Sequence, residues 1–311
     1  MPTLRAHRTF QAEDLPVALR DLSSTPVDPS WIEGRIGGMV GRSHRIVRHV
    51  AAGGMGQIFV VEHIDLGAYA AVKLAGPNAP GAAASLAREA RLLSRVHHPH
   101  VVHVIDYGQL ADGVDYLLME YVSGVELHAW IESYGPMQSE RALPVLRQLA
   151  SAIDHLHANG IVHADVKPAN VLFDPCAGDF CKLIDFGVAF LEDTRGRDRE
   201  HTGTPAYMAP EQAAGDACSR SVDIYGLAAL SFELVTGKLI REYTTRESAL
   251  LAALSLLPAL DQQGMGPGFQ AVLSRALSDD PAARYPSAAA FMADLEPVLP
   301  HSRPSTPLPP L

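Results

Sequence analysis

From His44 onward short β-rich apolar runs are separated by glycine-rich and polar turns, and this pattern predicts a run of strands. HRIVRHV leads into the glycine-rich AAGGMGQ, then IFVVEHI, a turn at DLGA, and YAAVKLA. Glycines between two β-rich runs predict a hairpin. In 80–96 the period changes to that of a helix, with Leu86, Ala90, Leu93 and Val96 on one face. VVHVIDYG (101–108) and DYLLMEYV (115–122) restore the strand pattern. Five strands and one helix predict a small β-rich lobe.

After Gly124 the chain turns helical. Leu143, Leu146, Leu149, Ile153 and Leu156 trace one face of a long helix, and Gly160 follows as a C-terminal cap. VLF and KLID read as short strands flanking the polar stretch GIVHADVKPAN (160–170). SVDIYGLAALSFELVTG and GFQAVLSRALSDD continue the helical character. Residues 1–43 have weak periodicity and read as an extension docked through Trp31 or left free. Residues 297–311 include prolines at 300, 304, 307, 309 and 310 and predict a disordered tail.

A length of 311 residues allows one large domain or two lobes with an ample core. The net charge of −10 argues against nucleic acid or an anionic membrane as the main partner. The start of the chain lacks the apolar region of a signal peptide, and ALLAALSLLPAL (249–260) is too short to span a bilayer, so a cytoplasmic protein is expected. Cys176, Cys181 and Cys218 read as reduced thiols. Of 25 basic residues only Lys73, Lys167, Lys182 and Lys238 are lysine. A lysine is a compact point charge suited to phosphate oxygens, which draws attention to positions 73 and 167.

Glycines at 53, 54 and 56 would let backbone N–H groups approach phosphates, although such hairpins also occur for purely structural reasons. Lys73 ends a strand sixteen residues before Glu89, the only acidic residue of 80–96. The two could form a phosphate-orienting pair, or Glu89 could belong to an exposed surface with Arg88 and Arg91. HADVKPAN is more specific. Asp165 could orient a hydroxyl nucleophile, Lys167 could steady a transferred phosphoryl group, and Asn170 could bind a hard cation. Asp185-Phe186-Gly187 follows, adding a carboxylate ligand and a glycine for a sharp turn. TGTPAYMAPE (202–211) comes next. Four histidines in HHPHVVH (97–103) could also bind zinc, but no cysteine or carboxylate completes the set.

This ordered set closely resembles the eukaryotic-type protein kinases over roughly residues 44–296, and most of all the bacterial serine/threonine branch. The resemblance implies an α+β bilobal fold, with a five-stranded antiparallel sheet and one helix in residues 44–122 and a mainly helical lobe in 123–296. It implies ATP with Mg²⁺ or Mn²⁺ as cofactors, and proteins bearing Ser or Thr as substrates. Ala51, Ala52, Gly53, Gly54, Met55, Gly56, Gln57 and Ile58 would form the loop over the phosphates, which Lys73 and Glu89 hold. Ile58, Ala71 and Leu172 would sandwich the adenine, Met119 would be the gatekeeper, and the Glu120 carbonyl and Val122 backbone would bond the adenine edge. Asp165 would be the catalytic base, with Lys167 beside it, and Asn170 and Asp185 would bind the metal. Glu211 would pair with Arg284, and Asp223 would brace the catalytic loop. Thr204 would place its hydroxyl on Asp165 and Lys167. His163 would support the loop beneath Phe186.

Two positions depart from the family pattern. Ala51 stands at the first glycine of the loop. Ala164 stands where many such kinases carry the arginine that grips an activation-loop phosphate. A nucleotide-binding pseudokinase and a small-molecule phosphotransferase of related fold are the competing readings. Neither Lys73 nor Asp165 is expected to carry packing.

Overall fold

The computed structural model describes residues 28–53, 56–77, 79, 81–192, 204–240 and 266–299. Its first half is an antiparallel sheet built from β1 (Met39–Val40), β2 (His44–Gly53), β3 (Gly56–His63), β4 (Tyr69–Ala75), β5 (Val104–Gln109) and β6 (Asp115–Glu120), in the order β1-β2-β3-β4-β6-β5. The sheet has one strand more than expected. The addition, β1, is a two-residue strand paired with Arg45 and His44, too short to register as a pattern.

Period-two alternation sorts each strand between two faces. Phe59 and Val61 of β3 and Ala70, Val72 and Leu74 of β4 bury themselves in an outer cluster. Helix α1 (Pro29–Glu33) covers that cluster with Trp31 and Ile32. The extension is therefore attached from residue 28 onward, reinforced by Arg35 stacking 4.4 Å over Trp31 and pairing with Asp112. The opposite face of β4 presents Lys73. There α2 (Ala82–Leu93) packs with Leu86, Ala90 and Leu93 buried, as its periodicity predicts.

The second half is mainly helical. It comprises β7 (Val125–Glu126), α3 (Leu127–Tyr134), α4 (Ser139–Ala158), β8 (Ile161–Val162), β9 (Val171–Asp174), β10 (Phe180–Leu183), β11 (Phe190–Leu191), α5 (Pro210–Ala214), α6 (Ser221–Thr236), α7 (Pro267–Ala276) and α8 (Ala288–Leu295). Leu146, Leu149, Ile153 and Leu156 of α4 are fully buried. Helix α6 is buried on every side from Ser221 to Leu234, the mark of a central core helix. Gly226 lets it approach the loop between β8 and β9: a Cβ there would lie 2.8 Å from the Val166 carbonyl oxygen.

Arg284 forks onto Glu211 at 2.6 and 2.7 Å with its side chain fully buried, tying the segment after α7 to α5. Past α8, Leu299 is buried, and a Cβ on Gly268 would meet Val298 at 2.8 Å. The expected tail thus begins with packed residues. Residues 300–311, the apolar run 249–260 and Thr202 lie outside the described residues.

Candidate active site

Lys73 and Ile58 are cross-strand partners, which places the lysine beside the glycine-rich hairpin. That hairpin is formed by β2 and β3, with Ala51 opposite Ile58, Ala52 opposite Gln57 and Gly53 opposite Gly56. Its tip, Gly54 and Met55, lies outside the described residues. Gly56 has a structural reason of its own: a Cβ there would sit 2.4 Å from the Leu74 carbonyl oxygen, so the close approach of β4 demands glycine.

The Lys73 ammonium donates to Glu89 at 2.9 Å and to Asp185 at 3.0 Å. Glu89 is 2% exposed, which rules out the surface reading. Lys73 is itself 6% exposed, so it is a buried group, contrary to the sequence expectation. Burial opposes its charge, but the Asp185 and Glu89 carboxylates outweigh that effect and hold the ammonium above its usual range. The Lys73 charge in turn holds the Asp185 carboxyl down at about 2. Asp185 is therefore ionised, and its side chain is half exposed.

The loop between β8 and β9 gathers the other candidates. Asp165 Oδ2 accepts from Lys167 Nζ at 2.7 Å and from Asn170 Nδ2 at 2.9 Å. Asn170 also donates to the Asp165 carbonyl at 2.8 Å, which commits its amide nitrogen and leaves its side-chain oxygen for another partner. The Ile184 N–H donates to the Asn170 carbonyl at 2.9 Å, so Asn170 and Asp185 are brought together across one backbone bond. An anionic carboxylate and an amide oxygen form the hard donor set that a Mg²⁺-sized ion uses when substrate phosphates complete its shell.

Two buried elements hold this loop in shape. Asp223 of α6 accepts the N–H groups of His163 at 2.9 Å and Ala164 at 2.7 Å. Its other partner, His157 at 2.8 Å, was not foreseen from the sequence. Burial would raise the Asp223 carboxyl, but the hydrogen bond and charge of His157 outweigh it and hold the group below the usual carboxylate range. Gln212 donates to the Ala164 carbonyl at 2.8 Å, a second unforeseen brace. The His163 ring meets Phe186 edge-on at 4.7 Å, as a supporting core group would.

Thr204 differs from expectation in one respect. Its hydroxyl contacts Lys167, but its backbone N–H, not its hydroxyl, reaches Asp165, at 3.1 Å. Lys167 offers three donors while Asp165 only accepts, so amide and hydroxyl divide between them.

Ala71 pairs across the sheet with Met119, which is buried. Ile58, Ala71, Val122 and Leu172 are half-buried. The Glu120 side chain turns away to bind Lys182 at 2.6 Å and the His103 N–H at 2.8 Å. The scarcity of lysine was a signal for this strap too, but it drew attention only to positions 73 and 167.

Two of the four histidines of 97–103 are engaged by side-chain hydrogen bonds, His98 with Ser151 at 3.0 Å and His100 with the Cys181 carbonyl at 2.9 Å, and the rings of His97 and His103 lie 5.1 Å apart. Cys176 and Cys181 are free thiols, and burial pushes Cys181 up to about 12.

Residues 44–306 match the protein kinase domain family. The chain belongs to that family. It is 31% identical over 279 residues to the serine/threonine-protein kinase pkn3 of Myxococcus xanthus, covering 85% of this chain and 51% of that protein. It is 35% identical over 266 residues to PknH of Mycobacterium bovis, covering 82% and 44%. It is 32% identical over 272 residues to PrkC of Bacillus subtilis, covering 84% and 41%. The chain thus spans about half or less of the length of these curated relatives. Among the described residues, no helix of this kinase-family chain is long and apolar enough to cross a membrane.

Proposed function

We propose that the chain is a serine/threonine protein kinase that moves the γ-phosphate of ATP to hydroxyls of protein substrates. One observation carries the reading: a single ammonium, Lys73, bridges Glu89 and Asp185 while Asp165, Lys167 and Asn170 form one bonded cluster beside them. A pseudokinase has no need to keep every one of these groups, and relatives across the same stretch are named serine/threonine kinases.

In this reading the hairpin from Ala51 to Ile58 covers the phosphates, Lys73 binds them, and Glu89 fixes the direction of Lys73. Ile58, Ala71, Leu172 and Met119 enclose the adenine, with backbone bonds at Glu120 and Val122. Asp165 accepts the hydroxyl proton as the nucleophile attacks in line, and Lys167 neutralises charge on the transferred group. Asn170 and Asp185 would hold Mg²⁺, or Mn²⁺ in its place, which would supply charge neutralisation for the phosphates. The contact from Lys167 to the Thr204 hydroxyl supports the serine/threonine branch. The catalytic domain runs from residue 44 and takes in Leu299.

The test is transfer of ³²P from ATP·Mg²⁺ to a generic protein substrate, followed by phosphoamino-acid analysis, with Asp165→Asn alongside. Label on serine or threonine that vanishes in Asp165→Asn is the expected result. Nucleotide binding without transfer would overturn the reading in favour of a pseudokinase. Label confined to a small molecule would favour the phosphotransferase.

A further inference from the structure

Helix α2 is tied to the Asp185–Gly187 turn at two points. Glu89 Oε1 accepts the Phe186 N–H at 3.1 Å, and the Ser85 hydroxyl donates to the Gly187 carbonyl at 3.2 Å. Ser85 and Glu89 stand four residues apart, one above the other on the same helix face. Ser85 is 6% exposed, so its bond forms where water does not compete freely. Gly187 is thereby held through both its backbone groups, because its N–H donates to Asp185 Oδ1 at 3.2 Å.

We infer that Ser85 is a positioning residue for phosphotransfer, its hydroxyl locking the Gly187 carbonyl so that α2 and the Asp185 turn stay in register. The inference rests on the kinase reading above. Glu89 ties α2 to the same turn, its two oxygens taken by the Phe186 N–H and the Lys73 ammonium. An outward shift of α2 would break both of those bonds together. The Ser85 bond is lost only in the shifted state, so it biases the equilibrium toward the state in which Lys73 lies between Glu89 and Asp185.

The bond is neutral and joins α2 directly to the turn that carries the candidate metal ligand. It needs no phosphate and no charge on the activation segment. That suits a catalytic loop whose residue 164 is alanine. Ser85 acts on the site through Gly187 and Asp185.

The test compares the full chain with Ser85→Ala, Ser85→Thr and, as a control on the exposed end of α2, Ser94→Ala. The measurements are steady-state kinetics with ATP·Mg²⁺ and amide hydrogen exchange across 185–189. Loss of a buried hydrogen bond predicts a kcat about tenfold lower in Ser85→Ala. KM for ATP should stay within about twofold, because the hydroxyl contributes no substrate contact. Exchange at Phe186 should quicken in Ser85→Ala, Ser85→Thr should recover most of kcat, and Ser94→Ala should match wild type.

A Ser85→Ala enzyme with wild-type kcat would overturn the inference. So would a loss of kcat with unchanged exchange across 185–189, since the effect would then be helix packing. A Ser85→Thr enzyme that folds with a wild-type melting midpoint yet remains as slow as Ser85→Ala would overturn it as well. If wild type itself transfers no phosphate, the kinase reading fails, and the exchange difference between wild type and Ser85→Ala still decides whether the bond holds the turn.

Discussion

The carboxylate of Asp223 accepts the Ala164 N–H at 2.7 Å and so holds an alanine at φ 64° in the middle of the candidate catalytic loop. A left-handed alanine costs about 1–2 kcal/mol, and the bonds from Asp223 and Gln212 are what make the loop tolerate it. The alanine carries no charge to grip a phosphate, and the loop's shape is set from beneath by α6. Phosphatase-treated wild type and a Thr202→Ala variant are therefore expected to retain basal activity within about threefold of untreated enzyme on the same peptide. A hundredfold loss in Thr202→Ala would mean that another basic residue, such as Arg195, Arg197 or Arg199, receives a phosphate there.

Lys73→Met is expected to abolish transfer and also to destabilise the fold. It leaves Glu89, 2% exposed, without its cation, and breaking such a buried pair costs about 3–5 kcal/mol. The double variant Lys73→Met with Glu89→Leu should recover part of that stability while remaining inactive. Urea unfolding of the two variants checks this, and equal midpoints would show that the buried charge is not the cause.

Asp165→Asn should abolish transfer with only a modest drop in melting, because the asparagine keeps the shape and an acceptor oxygen for Lys167 and Asn170 and loses only the oxygen that accepts the Thr204 N–H. Wild-type turnover in the purified variant would remove Asp165 from the role of base. Asp185→Ala should instead weaken ATP binding in a Mg²⁺-dependent way, read by calorimetry with and without the metal.

Glu126 is buried beside α3, and that burial pushes its carboxyl up from 4.5 to about 7. Between those values the folded chain holds a proton that the unfolded chain has lost, so stability falls as pH rises through that window. Glu126→Gln is accordingly expected to raise stability at pH 8 by about 1–2 kcal/mol and to do little at pH 4. Thermal melts at the two pH values measure the difference. An equal effect at both would separate it from the ionisation.

A chain ending at Leu299 should melt as the full chain does. One ending at Pro297 loses the buried Leu299 and the Val298 contact with α7, at a cost of about 2–3 kcal/mol. Calorimetry of both truncations tests where the folded region stops.

The apolar runs of β3 and β4, the leucine stripe of α4 and the order of HADVKPAN, DFG and TGTPAYMAPE were readable in the sequence, because each is a local pattern. They determined the elements, the two-lobed class and the identity of Lys73, Glu89, Asp165, Asn170 and Asp185 as candidates. Only the tertiary structure decided whether Glu89 faced Lys73 or solvent, since a helix period does not say what lies opposite a given face. It also decided the partners that meet across long sequence gaps: His157 and Gln212 bracing the candidate catalytic loop, Lys182 on Glu120, and Ser85 on Gly187. None of these has a spacing of its own, because burial and hydrogen bonding depend on where distant segments pack. The glycine at 56 shows both halves of the lesson. Its motif pointed to phosphate, and the Leu74 carbonyl 2.4 Å from where a Cβ would stand supplies a packing reason that no local pattern carries.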